Sequence, residues 1–142
     1  MKRKVMLSIQ GKQSYRDQEP DVMELVTEGV MEFRDGGWDI SYQESDLTGL
    51  QGVTTTFRVE PDKVTLTRTG PLRSTMEFQV GKSHDSLYQL DFGALMITVT
   101  TRHLFFDILP DGGCINLLYD IEIEKSEGGQ VDYHLDIRAI NE

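Results

Sequence analysis

Two side chains of opposite charge, Glu44 and Arg68, fall in step with apolar residues that must share one face of their segments. In 38–44 the alternating set is Trp38, Ile40 and Tyr42, and the next residue in phase is Glu44. In 64–68 it is Val64 and Leu66, and the next is Arg68. Tyr42, Tyr88, Tyr119 and Tyr133 point to the same side of theirs. A carboxylate, a guanidinium and phenol hydroxyls inside an apolar shell suit several kinds of chemistry. They can form the polar end of a small-molecule pocket. They can form a hydrogen-bonded ion pair that fixes strand register. They can sit wet in an open mouth. A carboxylate with a pKa moved by burial or by Arg68 can also serve as a general acid or base. One isolated buried charge is costly, so the two are expected near each other.

No other constellation in the chain is specific. His84, His103 and His134 are far apart and lack metal-ligand spacing. His134 lies between inward Tyr133 and Leu135 and is expected to face water. His84 sits beside a turn. Cys114 follows Gly112-Gly113 with no base tied to it and reads as a small strand residue, not a nucleophile. Asp120, Glu122 and Glu124 share one strand face, which reads as a solvated exterior; a divalent-cation site is the weaker alternative. No nucleophile elbow, phosphate loop or dinucleotide fingerprint is present. No catalytic residue, metal site or cofactor is assigned.

The elements that must position these residues are strands. Apolar residues recur two apart almost from end to end, as in Val131–Tyr133–Leu135–Ile137. Turn signals separate the runs: Arg34-Asp35-Gly36-Gly37, Glu60-Pro61-Asp62, Thr69-Gly70-Pro71, Pro110-Asp111-Gly112-Gly113 and Glu127-Gly128-Gly129. Strands are predicted at roughly 3–13, 21–33, 37–45, 52–60, 63–69, 73–81, 86–92, 94–108, 113–125 and 130–140. One helical turn is conceivable at Asp46-Leu47-Thr48-Gly49. Strand 21–33 carries two apolar phases. A bulge or bend at Gly29 would reconcile them. The alternative is an outward strip of Val22, Val26 and Val30 that binds a second subunit, joined by an outward Phe105.

At 142 residues the chain reads as a single domain spanning 1–142. The net charge of -10 argues against nucleic-acid binding. No window approaches the roughly 18 consecutive apolar residues of a membrane helix, so no membrane partner is expected. The basic start, Met1-Lys2-Arg3-Lys4, has no apolar run after it and is not read as a signal peptide. A lone cysteine fits a reducing compartment, and a cytoplasmic location is expected.

Ser41-Tyr42-Gln43-Glu44, Gly52-Val53-Thr54-Thr55-Thr56, Leu66-Thr67-Arg68-Thr69-Gly70, Met76-Glu77-Phe78 and Tyr88-Gln89-Leu90-Asp91-Phe92-Gly93 together resemble the YwiB-like family of uncharacterised bacterial proteins. Order, spacing and length match over nearly the whole chain. The chain departs at Leu90, where the family pattern has Thr, so one interior polar group is missing. The resemblance implies a calycin-like (lipocalin- or streptavidin-like) closed barrel with an internal cavity, and it implies no activity.

The expected fold is therefore all-β: an antiparallel meander β-barrel of roughly eight to ten strands, with a sandwich as the alternative. The leading functional expectation is binding of a small, partly apolar molecule inside the barrel. Tyr42, Glu44, Arg68, Tyr88 and Tyr119 would be its polar contacts, and Trp38, Phe57, Phe78 and Phe92 its walls. Two alternatives stand beside it: a filled structural module that homodimerises, and an enzyme using Glu44 as acid or base. An enzyme is the least favoured, for want of a nucleophile or cofactor site.

Overall fold

The computed structural model describes residues 2–15, 18–46 and 49–140. Ten antiparallel strands follow one another: β1 (Lys2–Ser14), β2 (Asp21–Arg34), β3 (Gly37–Gln43), β4 (Thr54–Glu60), β5 (Lys63–Thr69), β6 (Ser74–Phe78), β7 (Ser83–Leu90), β8 (Gly93–Leu109), β9 (Gly112–Ile123) and β10 (Ser126–Ala139). Every strand pairs with its neighbours in sequence except across β6 and β7, and β1 returns to pair with β10. The seam between β6 and β7 is closed by Arg73 and Gln89, whose backbone N–H groups donate to each other's carbonyls at 2.9 and 2.8 Å. The result is the expected meander barrel, nearly closed, which leaves little exposed sheet edge. Among the described residues no helix is long and apolar enough to cross a membrane.

Turn chemistry explains the strand limits. Asp35 and Gly36 take φ values of 50° and 78°, the left-handed pair that a two-residue hairpin needs. Pro61-Asp62 and Pro110-Asp111 make two more of the anticipated turns, and Gly70-Pro71 lies in the β5–β6 connection. The β9–β10 turn is not at Glu127-Gly128-Gly129. It falls at Glu124-Lys125, which take φ values of 53° and 65° without a glycine. Gly128 and Gly129 sit instead in a bulge between Glu127 and Gln130. There a Cβ on Gly129 would lie 2.4 Å from the Ser14 carbonyl oxygen. Of the helical turn expected at 46–49, Leu47 and Thr48 lie outside the described residues.

The two phases of β2 have a simpler cause than a bend. Its register against β1 runs unbroken from Lys2↔Glu32 to Gln13↔Asp21. Gly29 keeps to the inward phase; a Cβ there would stand 2.6 Å from the Ser41 carbonyl and 2.7 Å from Leu7 Cδ1. Glycine lets the walls meet closely at that point. Val22, Val26 and Val30 thus face outward and are exposed. Phe105 is outward too, but on β8, four strands away along the sheet, so it does not extend that strip. The bulge that breaks alternation lies in β8, between Thr101 and His103. It shifts the inward set from Ile97, Val99 and Thr101 to Leu104, Phe106 and Ile108.

Candidate functional site

The interior is legible as three rows across β3, β4, β5 and β6. Trp38, Val59, Val64 and Phe78 are neighbours in register. One step along each strand come Ile40, Phe57, Leu66 and Met76. One step further come Tyr42, Thr55, Arg68 and Ser74. Period-two alternation aims all twelve side chains inward. The first two rows are apolar; the third is wholly polar.

That polar row lies at the end of the barrel where a cavity of about 540 Å³ opens. Arg68 enters it from β5, with Met76 from the row below and Tyr88 from β7. Across the cavity stand Tyr119, Ile121, Val131 and Tyr133 of β9 and β10. Lys12, Asp21, Val22, Leu95 and Ile123 are exposed at its rim. Gly11 also borders the space, beside the Tyr133 ring and Met23, where a Cβ would make only ordinary contacts at 3.8 and 3.6 Å.

Glu44 and Arg68 do not form an ion pair. Glu44 stands one step beyond the polar row. Its N–H donates to the Val53 carbonyl at 2.8 Å, and its buried carboxylate accepts from the Thr55 hydroxyl at 2.7 Å. It also interacts with Tyr42. Arg68, two strands over on β5, turns into the cavity. Its buried Nε has no hydrogen-bond partner among the described residues, and neither has the buried Ser74 hydroxyl beside it in register.

The surrounding phenols are strongly held neutral. Burial pushes Tyr42 up to about 12, with the nearby Glu44 charge adding to it. Burial alone pushes Tyr119 up to about 12 against the pull of Arg68. Tyr133 is raised well above its ordinary value by burial and then by Tyr42, again opposed by Arg68. At neutral pH the site therefore presents one guanidinium and several hydroxyl donors on an apolar wall.

The remaining expected site residues separate from this group. Phe57 and Phe78 are buried but lie below the cavity, where they support the tyrosines. Phe57 is 5.5 Å from the Tyr133 ring and Phe78 4.7 Å from Tyr119, centroid to centroid. Trp38 is at the opposite end, edge-on to Phe33 at 5.0 Å. Phe92 is not a wall: it occupies the two-residue β7–β8 turn between Leu90 and Gly93 and is 89% exposed. Val80, in phase with Met76 and Phe78, is exposed because β6 ends at Phe78.

Tyr133, Thr55 and Ser74 belong to the site and were signalled only by their phase. His134 is half-buried on the outer surface, bonded to Asn116 and, at 2.9 Å, to Asp136. His84 accepts from the Glu77 N–H at 3.2 Å and faces the Glu77 carboxylate at 3.3 Å, tying β7 to β6. Among the described residues no group of three or more His, Cys, Asp or Glu side chains gathers where it could hold a metal ion.

A family model described as a domain of unknown function (DUF1934) matches residues 7–137. The uncharacterized beta-barrel protein YwiB of Bacillus subtilis (strain 168) is 26% identical over 107 residues, covering 75% of this chain and 74% of that one. The crystal structure of ywiB protein from Bacillus subtilis superposes with a TM-score of 0.88 at 21% identity, over 99% of this chain and 94% of the other.

Proposed function

The chain belongs to the DUF1934 family, a domain of unknown function, and from that premise we propose that this barrel binds a small, partly apolar molecule in its interior. One observation carries the reading. The same alternation that fills the middle of the barrel leaves about 540 Å³ at one end, edged by Arg68 and neutral tyrosines. That volume is within the range of small-molecule sites, and an apolar wall with a few convergent polar groups is their usual make-up. Glu44 does not border the cavity, and its carboxylate is engaged by Thr55. An acid–base role for it therefore gains no support. The lone Cys114 suits a reducing, cytoplasmic setting.

Native mass spectrometry of protein purified from its own cells tests the proposal. A mass excess that disappears on denaturation, with an identifiable small molecule in the extract, supports it. Protein that carries no extra mass, and that takes up no small molecule in solution, argues against it.

A second reading concerns the outer face. Val22 and Val26 are each 66% exposed, and Val30 lies on the same strip. A homodimer seated there would be seen by light scattering at high micromolar concentration, and Val26→Asp would dissolve it. A monomer under those conditions removes that reading and leaves the cavity untouched.

A further inference from the structure

We propose that the cavity takes a singly charged carboxylate with an apolar body, its head seated on Arg68; this rests on the cavity reading above and names its ligand class. The sign of the charge follows from Arg68. A guanidinium taken from water into a protein wall needs an anionic or hydrogen-bonding partner. Its Nε is buried and unpartnered among the described residues, and the obvious internal counter-ion, Glu44, is turned toward Thr55 instead.

Tyr119 and Tyr88 border the cavity beside Arg68, and Tyr119 lies within its electrostatic reach. Tyr42 and Tyr133 hydrogen-bond to each other, and Tyr42 also to Glu44. Neutral phenols can donate to a carboxylate while the guanidinium forks onto it. The count of charges follows from the rest of the lining. Apart from Arg68 the charged side chains bordering the cavity are Lys12 and Asp21, both at the exposed rim and opposite in sign. The interior therefore compensates one negative charge, and a dianion would leave the second unmatched in a poorly solvated space. The body of the ligand meets Met23, Met76, Ile97, Ile121 and Val131, which offer no polar atoms beyond thioether sulfur.

The test is calorimetric titration of the whole protein with matched probes: octanoate, octanol and octylamine, and phenylpropanoate with its alcohol and amine. In the wild type each carboxylate should bind at least roughly tenfold more tightly than its alcohol, the size expected of a charge-assisted hydrogen bond. Each amine should bind more weakly than the alcohol. Arg68→Met should erase the difference between acid and alcohol, and Arg68→Lys should keep part of it.

The wild-type comparison needs no variant, so a poorly folding Arg68→Met leaves the proposal exposed to refutation. Alcohols that bind as tightly as the acids overturn the carboxylate assignment while the cavity reading stands. An acid preference that survives in folded Arg68→Met overturns the role of Arg68. Failure of every probe to bind at millimolar concentration overturns the cavity reading together with this one.

Discussion

At one end of the barrel β3, β4, β5 and β6 bring Trp38, Val59, Val64 and Phe78 together across neighbouring strands; at the other the same four strands bring Tyr42, Thr55, Arg68 and Ser74. Backbone, register and alternation are shared by the two ends. What differs is what fills them. Val59, Val64 and Phe78 have at most a few per cent of their surface exposed and pack apolar against apolar. Tyr42, Thr55 and Ser74 of the polar row are buried too, but through Arg68 that row borders the cavity. The first end adds only apolar burial to the core. The second keeps Arg68 Nε and the Ser74 hydroxyl buried without a partner among the described residues, and a site for something else is the physical reading of such a region.

The comparison can be broken, first, where the effect should be largest. Phe78→Ala removes a fully buried ring from the filled end and should cost about 3–5 kcal/mol in a urea unfolding titration. A loss below about 1 kcal/mol would mean that end is no better packed than the cavity.

Alkaline titration sharpens the polar end next. The folded pKa values of Tyr42 and Tyr119, at about 12, exceed the unfolded value of roughly 10. The folded state therefore holds protons that the unfolded state releases. The stabilisation is intact below pH 10 and is lost as pH rises from about 10 to 12. Each such tyrosine should contribute a slope of roughly 1.4 kcal/mol per pH unit. Tyr119→Phe should flatten the wild-type decline by that amount, and parallel curves would show that Tyr119 ionises freely.

Thr55→Val comes third. It leaves the buried Glu44 carboxylate without its 2.7 Å hydroxyl donor and should cost about 1–3 kcal/mol. Arg68→Met should have the smallest effect on the empty protein, less than about 1 kcal/mol, because no ion pair is broken. A cost of about 3–5 kcal/mol would mean that Arg68 and Glu44 depend on each other after all.

Much of this contrast could be read from residue order. Alternation placed ten strands and aimed Tyr42, Glu44, Arg68 and Tyr119 inward, because a period of two admits only two faces. It could not say that Glu44 would reach back to Thr55. Phase gives the face of a side chain and not the direction it takes once inside. Phe92 misled for a related reason: it continues the Tyr88–Leu90 phase, yet Asp91-Phe92 is the turn itself. The Glu124-Lys125 turn had no glycine to announce it, while the glycines nearby served a bulge. The β8 bulge at Arg102 is a matter of register with β9, a long-range property that local periodicity does not contain.

The most direct test of the contrast is a high-resolution crystal structure of protein purified from its own cells. The account predicts continuous density for a small molecule between Arg68, Tyr119 and Met76, with Glu44 still held by Thr55. An interior closed by the protein's own side chains, with the Arg68 guanidinium folded onto Glu44, would contradict it.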